Sequence, residues 1–137
     1  MQKEFELELN ELDILIKYLK ESISEDCIVI LRGDLASGKT TLVRAYVKSL
    51  GLSDLVTSPT FSLQAIYSDN IFHYDVYNKT LGEFISLGML EEFEKEGIHF
   101  VEWGDEKLEE ILNDYGYKVI LIEIEKKDNK RLYKINA

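Results

Sequence analysis

The chain has 137 residues, 45% of them apolar and 31% charged, which fits a single globular domain over residues 1–137 with a core of its own. Its formal charge of −10 works against tight direct binding of nucleic acid, because basic contacts to phosphate supply most non-specific affinity. No apolar run approaches the roughly 18 residues that cross a bilayer. The start lacks the layout of a signal peptide, and the lone Cys27 excludes an internal disulfide, so a cytoplasmic, reducing setting is expected.

Phe5 to Leu9 alternates and predicts a short strand. Asn10 is placed to cap a helix whose apolar positions Leu12, Leu15, Ile16, Leu19 and Ile23 keep helical spacing. Cys27 to Leu31 is a continuous apolar run, the mark of a strand covered on both faces, with Cys27 as core packing. A glycine-bearing loop follows, then a helix with Leu42, Val43, Tyr46, Val47 and Leu50 on one side, stopped by Gly51. Phe61, Leu63 and Ala65 alternate, Ser68-Asp69-Asn70 signals a turn, and Ile71 to Tyr77 alternates again, so these runs predict a hairpin. On its second strand His73, Asp75 and Tyr77 share one face. Thr80 and Glu83 form a capping box for a helical region with Leu81, Phe84, Ile85, Leu87, Leu90 and Phe93 on its apolar side and Gly88 as a break. Ile98 to Trp103 predicts a buried strand with a polar end, and Asp105 to about Asn113 a short acidic helix. Tyr117 to Glu125 and Arg131 to Ile135 predict two further strands joined around Lys127–Lys130. This order of elements predicts an α/β fold of three layers with a mixed, largely parallel sheet plus hairpin strands.

Gly33-Asp34-Leu35-Ala36-Ser37-Gly38-Lys39-Thr40 satisfies G-x-x-x-x-G-K-[ST], and it lies between a buried strand and an amphipathic helix, the context that gives the pattern physical meaning. The glycines let backbone N–H groups converge on phosphate oxygens, and the helix start adds aligned amides. Lys39 is expected to reach the β- and γ-phosphates, the Thr40 hydroxyl to bind Mg²⁺, and Thr41 to offer a second hydroxyl near the α-phosphate. The fold is therefore P-loop NTPase-like. Glu102, ending an apolar strand just before Trp103-Gly104, is the candidate acid for Mg²⁺, held directly or through water. Asp75 is either a satisfied, partly buried carboxylate or a group that positions water. His73 reads as a structural, hydrogen-bonded histidine ahead of a proton shuttle. Thr57-Ser58-Pro59-Thr60 is either a simple strand entry or a loop that senses the γ-phosphate.

Guanine specificity needs an N-K-x-D element, and Asn78-Lys79-Thr80-Leu81 and Asn129-Lys130-Arg131-Leu132 both lack its aspartate, so ATP or ADP is the expected nucleotide. Three arginines are too few for the lid of a nucleotide kinase, and the L-S-G-G-Q element of transporter ATPases is missing.

The phosphate loop and its continuation Thr41-Leu42-Val43-Arg44, then Ser58-Pro59-Thr60-Phe61, His73-Tyr74-Asp75-Val76-Tyr77 and Glu102-Trp103, resemble in order and spacing the TsaE (YjeE) family. The resemblance covers about residues 5 to 125. It implies a weak Mg²⁺-dependent ATPase of bacterial tRNA threonylcarbamoyladenosine biosynthesis, activated by and resetting a TsaB–TsaD complex. It also implies phosphate and Mg²⁺ roles for Lys39, Thr40 and Glu102, switch-like or catalytic positions for Thr60 and Asp75, and a place beside the site for Trp103. Two positions depart from the family pattern: Ala36-Ser37 stand where glycine then alanine are usual, and Asn78 replaces an arginine. If Ala36 takes a left-handed conformation, the loop bears a cost of roughly 1 kcal/mol. A regulatory nucleotide-binding module without obligatory turnover and a small-molecule kinase are the competing expectations.

Overall fold

Residues Cys27–Arg32 form strand β2, and its side chains separate by parity: Cys27, Val29 and Leu31 enter one apolar cluster, Ile28 and Ile30 the other. A strand buried on both faces is the centre of a layered sheet. The structure, a computed structural model, describes residues 2–23, 26–59, 63–68 and 70–137. The remaining strands are β1 (Gln2–Leu7), β3 (Gln64–Tyr67), β4 (Ile71–Asp75), β5 (Ile98–Glu102), β6 (Val119–Lys127) and β7 (Lys130–Asn136). They make one seven-stranded sheet in the order β1-β7-β6-β2-β5-β4-β3. β6, β2, β5 and β4 run parallel, and antiparallel partners close both sides, β3 on β4 and β7 and then β1 beyond β6. The expected mixed, largely parallel sheet is thus observed.

Helices α1 (Leu12–Ser22) and α2 (Lys39–Ser49) bury Leu15, Leu19, Leu42, Val43 and Tyr46 against one face. The short helices α3 (Leu81–Ser86) and α4 (Met89–Glu92), with α5 (Glu106–Asp114), cover the other through Phe84, Phe93, Leu108 and Leu112. Cys27 is buried, and desolvation pushes its thiol up to about 11. Among the described residues no helix is long and apolar enough to cross a membrane.

Several local expectations need correction. The first strand ends at Leu7, and Leu9–Glu11 form a 3-10 turn before α1. Asn10 therefore lies inside that turn and caps nothing; instead the Glu11 carboxylate accepts the Glu8 amide at 2.9 Å. Leu50 lies just beyond α2 and is largely exposed. The Thr80–Glu83 capping box is present, and Gly88 does interrupt the helical region, at φ 75°. With only six residues in α3, one face suffices to pack, and Ile85 and Leu87 are left exposed. Asp105 caps α5 by accepting from the Leu108 amide at 2.9 Å. Gly97 is required by close approach: at φ 137°, a Cβ there would stand 2.1 Å from the Asn70 carbonyl oxygen.

Candidate phosphate and metal site

Three parallel strands end together at one edge of the sheet. The register pairs Leu31 of β2 with Glu102 of β5, and Glu102 with Asp75 of β4. The loop after β2 therefore opens beside two carboxylates, at the carboxyl end of a parallel sheet where ligands of α/β proteins bind. A cavity of about 740 Å³ lies here, lined by Leu35 to Thr41 of the loop, by Ser58, Asp75, Glu102 and Trp103, and by Leu9 and Arg131.

The loop is folded around the Lys39 ammonium, which donates to the carbonyls of Gly33 at 2.7 Å and Asp34 at 2.9 Å. The indole of Trp103 covers the same ammonium, with its ring centre 3.8 Å away, a cation–π contact strengthened by partial burial. Burial lowers the Lys39 pKa, and the charges of Glu102, Asp75 and Asp34 oppose that shift. Ser37 closes a turn through its amide to the Asp34 carbonyl, and its own carbonyl accepts from Arg131 Nε at 3.1 Å. The first helical bond of α2 runs from the Leu42 amide to the Gly38 carbonyl, so the amides of Lys39, Thr40 and Thr41 precede the helical ladder. Ala36 does take the left-handed conformation, at φ 59°, and the loop absorbs the cost of alanine there. Gly33 is held to glycine by packing, since a Cβ would lie 2.7 Å from the Ile124 carbonyl oxygen.

Thr40 Oγ1 donates to Glu102 Oε2 at 2.6 Å. With its proton committed there, the hydroxyl presents only lone pairs elsewhere, as a ligand to a hard cation must. Among the described residues no cluster of three or more His, Cys, Asp or Glu side chains could enclose a metal. The donor set suits Mg²⁺, which takes few protein ligands and completes its shell with phosphate oxygens and water. His73 Nε2 also lies 2.6 Å from Glu102 Oε2, and Tyr67 Oη lies 2.8 Å from His73 Nδ1. Burial and the charge of Glu102 push the Tyr67 hydroxyl up to about 12 despite Arg44. Asp75 accepts from the Ser58 hydroxyl through Oδ2 at 2.7 Å and from the Tyr77 amide through Oδ1 at 2.9 Å.

The sequence-derived candidates converge unevenly. Leu35 to Thr41, Asp75, Glu102 and Trp103 line the one cavity, whereas Gly33 and Asp34 line a second of about 890 Å³ that shares Ser37 and Trp103 with it. Thr60 lies outside the described residues. Sequence reasoning passed over Arg131, which arrives from β7, and Tyr67, which arrives from β3. Tyr67 had one visible signal: an aromatic two residues beyond Ala65, the cross-strand partner of His73, falls on the histidine's face.

The fold and these residues meet in the comparisons with known proteins. The profile described as "Threonylcarbamoyl adenosine biosynthesis protein TsaE" matches residues 7–133. A tRNA threonylcarbamoyladenosine biosynthesis protein TsaE of Treponema pallidum is 36% identical over 92 residues, 65% of this chain and 68% of that one. The Bacillus subtilis protein of the same name is 38% identical over 79 residues, 56% of this chain, and the match spans about half of that relative (49%). The solved structure titled Bacillus subtilis YdiB shares the fold, with a TM-score of 0.71 at 24% identity over all of this chain and 86% of that one. A family profile spanning nearly the whole chain, on a sheet that sets the phosphate loop against Glu102, shows that the chain belongs to the TsaE family.

Proposed function

We propose that this chain binds Mg²⁺-ATP in the cavity between the phosphate loop, Asp75 and Glu102. There it hydrolyses ATP weakly, and it serves tRNA threonylcarbamoyladenosine biosynthesis together with a TsaB–TsaD-type complex that it resets between turnovers. The observation that carries this reading is the Thr40–Glu102 hydrogen bond, which joins the end of the phosphate loop to a strand-end acid at 2.6 Å. Lys39, fixed by two loop carbonyls, and the leading amides of α2 bind and orient the phosphates. Mg²⁺, when bound, neutralises charge developing on the phosphates. Thr40 and Glu102 hold its place, and the Trp103 indole keeps water from one side of the lysine. Leu9 and Leu35, exposed apolar side chains that line the same cavity, offer a surface for the base. The surface charge favours reaching tRNA through a protein partner rather than by gripping RNA.

The regulatory reading also has an observation in its favour. Both Asp75 oxygens accept hydrogen bonds, one from Ser58, so Asp75 anchors the Thr57–Pro59 segment and couples its position to the site. Measuring ATP hydrolysis by the chain alone and with a TsaB–TsaD pair separates the two. Stimulation by the pair supports the ATPase reading, nucleotide binding without turnover supports the regulatory one, and failure to bind ATP or ADP overturns both.

A further inference from the structure

Phosphate and metal binding leave one buried set of hydrogen bonds without a task. Tyr67, His73 and Glu102 form a staircase across β3, β4 and β5. Ala65 pairs with His73, so Tyr67 is the diagonal neighbour of that histidine; His73 pairs with Phe100, so Glu102 is its diagonal neighbour on the next strand. Diagonal neighbours on one face stand about 7–8 Å apart, within reach of long or aromatic side chains. All three side chains are buried, and His73 wholly so. A carboxylate only accepts, so Glu102 Oε2 takes the Thr40 hydroxyl and, as an ionised acid, His73 Nε2–H, each at 2.6 Å. His73 Nδ1 shares a hydrogen bond of 2.8 Å with the Tyr67 hydroxyl, which holds the ring from its other side. The Tyr67 hydroxyl also donates to the Thr57 carbonyl at 3.4 Å, so the staircase begins beside the segment that Asp75 holds through Ser58.

We propose that Tyr67 is a positioning residue for the metal-side carboxylate. Its hydrogen bond fixes the ring of His73, and His73 then holds Glu102 Oε2 beside Thr40. The inference rests on the reading of Thr40 and Glu102 as the Mg²⁺ side of the site. A histidine that merely fills the core predicts lower stability on loss of the tyrosine hydroxyl, with no selective effect on the metal.

The test uses the full chain, ADP as nucleotide, and Trp103, the single tryptophan, as the fluorescent reporter of binding. Wild type, Tyr67→Phe, His73→Ala and the double variant are titrated with ADP in EDTA, and then with Mg²⁺ at fixed ADP. The expected result is that Tyr67→Phe keeps the EDTA affinity within about twofold and raises the half-saturating Mg²⁺ concentration about fivefold, the scale of one lost hydrogen bond. His73→Ala raises it about tenfold, and the double variant no further, because Tyr67 acts through His73. The proposal is overturned if Tyr67→Phe leaves the Mg²⁺ dependence unchanged, or if the two substitutions add. Thermal melts confirm that each variant is folded; should His73→Ala not fold, His73→Gln takes its place in the cycle under the same criteria. A wild-type protein whose ADP binding ignores Mg²⁺ overturns the metal reading itself, an outcome distinct from failure of the relay.

Discussion

Ala36 gives the phosphate loop its sharpest energetic test. Its φ is 59° and its side chain is exposed, so a glycine there would remove the Cβ clash of the left-handed conformation without emptying any packed space. The relief is about 1–2 kcal/mol. Against it stands the extra freedom that glycine adds to the unfolded chain, about 0.4–1 kcal/mol. Ala36→Gly is therefore expected to stabilise the protein by about 0.8 kcal/mol, close to a fourfold shift in the folding equilibrium and about 3 °C in Tm for a chain of this size. Ala36→Val should move the other way by 1 kcal/mol or more, since a β-branched side chain is a true outlier at positive φ. Urea unfolding followed by Trp103 fluorescence and by far-UV circular dichroism measures both variants. A less stable glycine variant, or a valine variant as stable as wild type, would refute the left-handed conformation at this position and with it the account of how the loop tolerates alanine.

Other expectations concern the site and the frame that carries it. Lys39→Ala should weaken nucleotide binding at least tenfold in a fluorescence titration, because it removes both a phosphate donor and the pin between the Gly33 and Asp34 carbonyls. Glu102→Ala should preserve nucleotide binding yet abolish hydrolysis; normal hydrolysis with partner proteins present would remove Glu102 from the metal assignment. Gly97→Ala should cost about 3 kcal/mol or prevent folding, since the new Cβ would stand 2.1 Å from a backbone oxygen at a φ of 137°. For Cys27, the folded protein holds the thiol proton up to about 11, against 9.0 for a free thiol, so the unfolded chain releases it first as pH rises. That contribution to stability is complete below pH 9 and disappears between pH 9 and 11, amounting to about 3 kcal/mol. Comparing urea unfolding of wild type and Cys27→Ala across this range isolates it, and equal pH slopes would show that the thiol is not desolvated.

What the sequence makes legible is what neighbouring residues decide. Gly33 to Thr40 is contiguous, and the run Cys27–Leu31 has no polar face to hide, so loop and central strand follow directly. Glu102 and Asp75 each close an apolar strand, which marks them singly; that they are register partners depends on β4 and β5 becoming parallel neighbours, and no local pattern states that. Arg131 is farther still, since it meets the loop only because β7 returns antiparallel beside β6. The helix starting near residue 10 was misplaced for a local reason: Glu11 offers a carboxylate to the Glu8 amide, and this competes with capping by Asn10. In α3, periodicity promised one broad apolar face, but Gly88 cuts the element short and leaves Ile85 and Leu87 exposed.

The distribution of buried polar side chains marks the site without reference to any motif. Among the described residues these are Ser37, Lys39, His73, Asp75, His99 and Glu102, and all but His99 gather at the carboxyl end of the parallel strands. His99 has a structural account: its ring is held between the Tyr74 hydroxyl and the Lys95 carbonyl and stacks on Phe72. The other five could have been replaced by apolar residues at lower desolvation cost, as buried ionic groups often can. Among the described buried side chains Lys39 is the one lysine or arginine, it feels the charges of Glu102 and Asp75, and no described buried side-chain nitrogen or oxygen lacks a partner. Such a set carries an excess of negative charge exactly where the loop amides would draw in phosphate. In the proposed function, a bound cation would ease the repulsion between phosphate and these carboxylates. Under the proposed function, the two acids beside the loop favour a nucleotide that arrives as its magnesium complex.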